Sequence, residues 1–547
     1  MKQSSPLAVD EGALKPQDTS SLESRNSFHK LEWLKDAGFG LFIHWSLDVQ
    51  LGCVISHSLV GASDSYIKRY YEELPQTFCP TDWDADRVAR LAKVAGVQYA
   101  VFTTKHHNGF CMWGTKTTSF HVLNTPYGKD IVRQYVDAFR KYGLKVGFYY
   151  SPEDFRFLYD HGLTITRTPV EPYAPEIMRE YRAYLRAQLE ELLTQYGPID
   201  LIFFDGGEAM CDENGESLQA FCKNLAWDLQ KDILVTRGAI PTPEQHLPGV
   251  GSQEVWEACI TLSTAWGYQP TNETVKSGAQ VIQMLARTRA MGGALLLNIG
   301  PDSDGRIPAE QEGVLREVGL WNFINREAIL GVRPWILAEE GPMILLADKQ
   351  GTTLYAVVLH QDGWDRGMRR EFVLQSVCAT PESEVSVLGA SGELTEYRPD
   401  LDAHSSLSQQ EDGLHVSVMN AQRIYCGIQW RNPLVIRITH VKPAFEPMGI
   451  RTGTAQCAQG TAVLHAQVLQ MGSFKTANVR FEWRKYPGFA LAANDEGWLS
   501  TPPIAVRDKV EVQTVLEGLE PATTYQYRAV IENAQNRMRG DNAQFDA

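Results

Sequence analysis

Asp205 is the side chain whose setting most clearly offers chemistry. It closes the stretch PIDLIFFDGG (198–207), where an apolar run meets a carboxylate and then two glycines. A run of this kind, ended by turn residues, reads as a strand buried on both faces of a parallel sheet. Reacting groups of β/α barrels stand at the C-terminal ends of such strands, which makes Asp205 a candidate nucleophile. A helix N-cap is the competing reading, because Asp commonly opens the turn after a strand. Three more predicted strands end in polar groups. They are His44 in GFGLFIHWS (38–46), His106 and His107 after YAVFTT (99–104), and Tyr149 and Tyr150 in LKVGFYYS (144–151). One polar strand end is noise. Four in succession point to a lined pocket.

A carboxylate nucleophile in such a pocket suggests glycoside hydrolysis, in which a second carboxyl group handles the proton at the scissile bond. Candidates follow on later loops. Glu244 in TPEQHLP (242–248) comes after Pro243, in a loop that can carry the side chain into a cleft. Glu257 in EVWEACITLSTAWGY (254–268) stands beside Trp256, and a structural place in the barrel wall is equally open to it. Glu254 is a third, less favoured choice. Metal chemistry fits less well. His44 is the one ligand type on the first strand, and His106 and His107 point apart if their strand continues. No cluster of Cys, His and Asp accompanies them. Neutral imidazoles reading hydroxyl groups are the better assignment, so neither a metal nor a cofactor is expected.

These groups need a frame that gathers distant segments. From 29 to 332, apolar strand-like runs alternate with helical patterns at 84–96, 130–143 and 175–197. Repeated strand–helix–strand units predict an α/β fold, a (β/α)8-like TIM-type catalytic barrel, irregular because fewer than eight clear strands stand out. After Val332 come short alternating runs, TTLYAVVLH, REFVLQSV, EVSVLGA, GLHVSVMN and LVIRITHV. They predict an antiparallel β-sandwich over 333–440. A boundary at 440–449 opens a third unit, 450–547, with strands at VRFEWRK, VEVQTVL and TYQYRAVIEN. Tyr525 there takes the place of a tyrosine corner, and the unit resembles a fibronectin type III module. Residues 1–28, polar and rich in Ser, are expected to form a flexible lead-in.

Composition sets the outer bounds. A chain of 547 residues calls for several domains. A net charge of -15 excludes the basic face that a nucleic-acid partner would want. No apolar run is long enough to span a bilayer, so no membrane insertion is expected. Aromatics are plentiful and permit flat sugar-binding faces without demanding them. Nine cysteines, an odd number with no CxxC pair, read as buried thiols and not as a disulfide or zinc framework. The opening MKQSSPLAVDEG lacks an apolar core of the signal-peptide kind. The expected location is periplasmic or secreted with the signal already removed, a cytoplasmic one being the alternative. The sequence specifies no oligomeric state.

Six segments carry a family resemblance: GFGLFIHWS, FTTKHHNGFCMW, GFYYSPEDF, IDLIFFDGG, WEACITLSTAWGY and GGALLLNIGPDSDGRIP. In this order they resemble glycoside hydrolase family 29, the α-L-fucosidases, across residues 29–332. The resemblance implies an exo-acting, retaining hydrolase that releases terminal α-L-fucose from fucosylated oligosaccharides or glycoconjugates, its barrel followed by a β-sandwich. It implies Asp205 as nucleophile, and His44, His106, His107 and Tyr150 as partners of the fucose hydroxyls. Arg237 falls near the reacting end, while Phe203 and Trp266 line the pocket beside the sugar's methyl group. The acid/base is assigned to Glu244, with Glu257 as runner-up.

Three departures accompany the resemblance. His107-Asn108-Gly109 replaces a usual His-Asp-Gly, and Phe203 stands where Trp is common. Asp64-Ser65-Tyr66 replaces Glu-Trp-Tyr, with Asp64 expected to keep the carboxylate's role at shorter reach. Two rival readings stand beside the hydrolase. One is a non-catalytic carbohydrate-binding or adhesion protein on a glycosidase scaffold; the other is a barrel glycosidase for a related sugar such as galactose.

Overall fold

The computed structural model describes residues 24–53, 55–248, 254–271, 273–393, 400–421, 431–458, 460–488, 497–534 and 536–547. Most of the expected lead-in, residues 1–23, therefore lies outside the described residues. Seven short strands form one parallel sheet: β1 (Phe39–Ile43), β2 (Tyr99–Lys105), β3 (Lys145–Tyr150), β4 (Leu201–Phe204), β5 (Leu234–Val235), β6 (Glu257–Thr261) and β7 (Ala294–Ile299). Their order is β5-β4-β3-β2-β1-β7-β6. Helices fill the crossovers, as parallel pairing requires. α1 (Phe28–Ala37) precedes β1, and α2 (Asp64–Thr77) and α3 (Ala85–Ala95) lead into β2. α4 (Ile131–Lys141) leads into β3, and α5 (Phe155–Asp160) and α6 (Pro175–Gln195) lead into β4. α7 (Leu218–Leu229) joins β4 to β5, α8 (Gly278–Ala290) joins β6 to β7, and α9 (Ala309–Asn325) follows.

Every strand residue except Lys145 is buried, because the curled sheet is covered on both faces. One face meets the helices through residues such as Leu41, Phe102, Phe148, Tyr150 and Phe204. The other closes on itself around Phe42, Tyr99, Val101, Tyr149, Leu201, Phe203, Cys259 and Leu296. Strand alternation decides which residue belongs to which face.

An irregular (β/α)8-like barrel with fewer than eight clear strands was the expectation, and among the described residues seven strands form the sheet. The shortfall falls between β5 and β6. There residues 241–245 run beside β6 with the bridge Glu244↔Cys259, while Arg237↔Ile240 bridges at the end of β5. Pro241 and Pro243 accept from the N–H groups of Glu257 and Cys259. They have no N–H to return, so the segment cannot build a regular ladder.

After residue 328 the regular elements among the described residues are all strands. A five-stranded antiparallel sheet (Arg333–Glu340, Met343–Ala347, Leu354–Val358, Val385–Val387, Leu434–Ile438) shares a core with a three-stranded one (Arg369–Leu374, Ser406–Gln410, Gly413–Met419). Trp321 on α9 ties this unit to the first, its indole N–H donating to the Pro433 carbonyl at 2.7 Å. The last unit pairs a sheet containing Gly449–Thr452, Thr461–Gln470 and Glu511–Glu517 with one built on Ala477–Lys485 and Thr524–Glu532. Within it Tyr525 is buried, and its hydroxyl accepts from the Glu520 N–H at 3.0 Å.

Candidate active site

Asp205 follows the last residue of β4 and is not a helix cap. The next helix, α7, begins twelve residues later under Ser217, whose side chain accepts from the Ala220 N–H. Free of that duty, the Asp205 carboxylate faces the interior of the curl. Tyr149 donates its hydroxyl to Oδ2 at 2.7 Å. Arg237 Nη1 lies 3.2 Å from Oδ1, and His107 Nε2 lies 3.6 Å from Oδ2. Burial alone would raise the carboxyl's pKa; the neighbouring charges, Arg237 foremost, outweigh it and hold the group well below the usual carboxylate range. The surroundings of Asp205 therefore favour its ionised form.

The same guanidinium reaches a second carboxylate. Arg237 Nη2 lies 2.9 Å from Glu244 Oε2, so one cation bridges Asp205 and Glu244. Glu244 is buried, on the segment that runs beside β6, and the next residue, Gln245, takes a positive φ of 57°. Gln245 then anchors itself by donating Nε2 to the Thr261 hydroxyl at 3.0 Å. The loop expected to carry the proton donor is thus pinned on both sides of it.

Glu257 is not brought to this cluster, which corrects its place as runner-up. It opens β6, at the opposite end of the sheet from Asp205, and accepts the Tyr99 hydroxyl at 2.6 Å. Tyr99 itself opens β2. Burial pushes the Glu257 carboxyl up to about 7, with only the Tyr99 hydrogen bond opposing.

Tyr150 also changes place. Its hydroxyl donates to Gln188 on α6 at 2.7 Å and accepts from Lys105 Nζ at 3.2 Å, on the helix-facing side of β3. Its neighbour Tyr149 takes the interior position, opposite Phe203 across β3 and β4. The period of two explains this. Val146, Phe148 and Tyr150 form one apolar row toward the helices, so Tyr149 falls on the other face with Gly147. Asp64 stands exposed in the first turn of α2, outside the cluster.

The remaining predicted residues converge. His44 Nδ1 lies 2.6 Å from Asn298 Oδ1, and the His44 ring sits 4.9 Å from that of half-buried Trp266. His106 stacks on Tyr149 at 5.1 Å, and its Nδ1 lies 2.9 Å from Ser56 Oγ. Phe203 lies under the Arg237 guanidinium at 5.3 Å. Phe42, next to Phe203, Trp266 and His44, completes an aromatic wall.

His106 and His107 do not point apart as a continued strand would make them. β2 ends at Lys105, and the two rings are 4.4 Å apart. With Asp205 they offer ligand atoms within 4.8 Å of one another. A cation added there would meet the Arg237 guanidinium already on the same carboxylate, an arrangement suited to anionic chemistry at Asp205. Burial drives all three inner imidazoles to the neutral form, His44 to about 4 and His107 to about 3.

Sequence reasoning missed Glu153. Its carboxylate is buried beneath the turn after Asp205, accepting the Gly207 N–H at 2.9 Å and the Arg167 Nε–H at 2.8 Å. A Cβ at Gly206 would stand 2.4 Å from that carboxyl, which is why Asp205 is followed by glycine. The signal was visible in SPEDF, two residues beyond a polar strand end. His57 was also missed; its ring stands 5.9 Å from that of His107.

A buried acid pair on one arginine, walled by aromatics and neutral histidines, is the constellation of a glycoside hydrolase pocket. Residues 8–327 match the Alpha-L-fucosidase family, and the chain belongs to it. It is 29% identical over 426 residues to the tissue alpha-L-fucosidase of Rattus norvegicus, covering 69% of this chain and 85% of that one. It is 29% identical over 355 residues to a putative alpha-L-fucosidase of Caenorhabditis elegans, covering 58% of this chain and 70% of the other. Among solved structures, alpha-L-fucosidase isoenzyme 1 from Paenibacillus thiaminolyticus superposes with a TM-score of 0.58 at 29% identity, covering 75% of this chain and 98% of that one. A Bacteroides thetaiotaomicron alpha-L-fucosidase shares the fold at a TM-score of 0.60 and 22% identity, over 80% of this chain and 99% of that one.

Proposed function

We propose that this protein is a retaining exo-α-L-fucosidase that hydrolyses terminal α-L-fucose from fucosylated oligosaccharides or glycoconjugates. The observation that carries the reading is the single guanidinium of Arg237 joining Asp205 to Glu244 inside a pocket of an α-L-fucosidase family member. Retaining glycosidases hold their two carboxyl groups about 5 Å apart, a spacing that a shared arginine favours. Asp205, held ionised, attacks the anomeric carbon. Glu244, which must take up a proton from solvent and loosen its hold on Arg237 when substrate binds, gives that proton to the departing glycosidic oxygen, and a fucosyl ester on Asp205 results. Glu244 then takes a proton from water, which releases α-L-fucose with its configuration kept. Before attack the Tyr149 hydroxyl holds one carboxylate oxygen and Arg237 the other, fixing the plane of the nucleophile.

His44, His106 and His107 serve as neutral partners of the ring hydroxyls, and the wall of Phe42, Phe203 and Trp266 covers the apolar methyl group. Residues 241–245 act as the eighth stave of a (β/α)8-like barrel. The C-terminal unit is read as a fibronectin type III-like module, supported by the contact of Tyr525 with the Glu520 backbone.

Release of the dye from an aryl α-L-fucoside, compared with aryl galactosides, tests the reading. Fucoside cleavage with α-L-fucose as the first-formed anomer is expected. No cleavage, or initial formation of the β-anomer, would overturn it.

A further inference from the structure

The pocket wall decides which nitrogen of each sugar-facing imidazole carries its proton. Asn298 on β7 donates Nδ2–H to the Trp266 carbonyl at 2.8 Å, and a carbonyl oxygen can only accept. The amide oxygen is therefore the atom that meets His44 Nδ1 at 2.6 Å. An amide oxygen also only accepts, so Nδ1 of His44 bears the hydrogen and Nε2 is left as a lone pair.

His106 is held the other way round. Its Nδ1 receives the backbone N–H of His107 at 2.9 Å. Ser56 Oγ, also 2.9 Å from that nitrogen, accepts the Asn108 N–H at 3.0 Å; because the His107 N–H already makes Nδ1 an acceptor, the Ser56 hydroxyl is the donor in its contact with His106. Nδ1 of His106 is therefore bare, and Nε2 bears the hydrogen. The two rings lie 5.8 Å apart, both against Tyr149.

Ser56 is an unusual choice for its backbone. Its φ of 62° lies in the left-handed region that favours glycine. The conformation is held from below, where buried Asp48 accepts the Ser56 N–H at 2.7 Å. A serine where the backbone favours glycine is explained by what its hydroxyl does to His106.

We propose that Asn298 and Ser56 are positioning residues that lock His44 and His106 in opposite tautomers. The site then demands a hydrogen-bond donor from one sugar hydroxyl and an acceptor from another. The assignment to a sugar rests on the α-L-fucosidase reading; the tautomers rest on the protein alone. A hydroxyl satisfies either demand, whereas a C–F group accepts weakly and cannot donate. The pocket thus reads the direction of each hydrogen bond as well as the position of each hydroxyl.

Competitive inhibition of aryl α-L-fucoside hydrolysis by mono-deoxy and mono-deoxyfluoro analogues of L-fucose, one ring hydroxyl at a time, tests this. At the hydroxyl facing His44, both analogues should bind about 10-fold more weakly than L-fucose. At the one facing His106, the fluoro analogue should bind several-fold (about 3-fold or more) better than the deoxy one. Ser56→Gly suits the backbone and removes the hydroxymethyl group; with the His107 N–H still on Nδ1, it should reduce that fluoro preference and raise KM more than it lowers kcat. Imidazole nitrogen NMR shifts of the ligand-free protein should report Nδ1–H for His44 and Nε2–H for His106, with His44 reverting in Asn298→Leu. Equivalent fluoro and deoxy analogues at every position, or one shared tautomer, would overturn the proposal. A protein that binds no L-fucose at all would instead overturn the functional reading, with the tautomer measurement still standing as the test of the lock.

Discussion

At one end of the parallel sheet Asp205 is bracketed by Arg237, Tyr149 and His107; at the other end Glu257 has a single tyrosine. Both carboxyls are buried, and their neighbours drive them to opposite forms. The guanidinium overcomes the cost of burial at Asp205 and keeps it charged, while at Glu257 nothing does and the proton is retained up to about pH 7. Burial alone therefore says little about function. A buried acid becomes a reagent when a cation is supplied at the strand end where a ligand can reach, and a wall component where neither holds.

The contrast is broken most directly at Asp205. Asp205→Asn should cut kcat by about 10⁴-fold or more, beyond what acid–base catalysis alone supplies, with the melting temperature near wild type. Steady-state kinetics beside a thermal melt would show it. Glu244→Ala should cost about 10²–10⁴-fold on glycans with poor leaving groups; on an activated aryl fucoside, whose leaving group departs without a proton, azide should restore turnover by capturing the fucosyl ester. Rescue confined to Glu257→Ala would move the proton donor to the wrong end of the sheet and undo the comparison. Tyr149→Phe should lower kcat by about 10-fold through loss of one charge-directed hydrogen bond. Tyr150→Phe should leave kcat alone and cost about 1 kcal/mol of stability, read from denaturant unfolding.

The last effect, one of stability and not of turnover, concerns pH and Glu257. Its folded pKa of about 7 exceeds the ordinary carboxylate value of 4.5, so the folded state holds a proton that the unfolded chain releases. Stability from this group is whole below about pH 4.5 and is lost as pH rises to about 7, by an amount on the order of 3 kcal/mol. Glu257→Gln keeps an acceptor for Tyr99 and removes the ionisation. Its melting temperature should match wild type at about pH 5 and exceed it at about pH 8. A constant difference across that range would show that Glu257 does not titrate with folding.

Much of this was legible in the chain because apolar runs ended in polar residues. All seven strands cover predicted runs or the WEACITL segment, and Asp205, His44, His106, His107, Arg237 and Glu244 meet in one pocket. What was not legible was parity and depth. Tyr149 and Tyr150 differ by one step along β3, and only the pairing with β4 assigns the first to Asp205. Glu257 and Glu244 are both acids near one aromatic-rich segment, and only the register of β6 with β7 puts Glu257 at the bottom of the wall. Asp64 carried an expected role that depended on loop shape, and the loop delivers Ser56 and His57 to the pocket in its stead. Long-range pairings settle such matters, and a one-dimensional pattern does not contain them.

The seam at 241–245 makes one part of the wall more loosely bonded than the strands beside it. Those residues touch the sheet through isolated bridges where two prolines deny a ladder, and Glu244 rides on them. This join also carries Glu244, the residue proposed as proton donor. Such local contacts open at lower free energy than the strands around them. Hydrogen exchange at Glu244 and Gln245 should accordingly be faster than at the neighbouring strand residues of β6, and equal protection of the two would show that the seam opens only with the whole sheet.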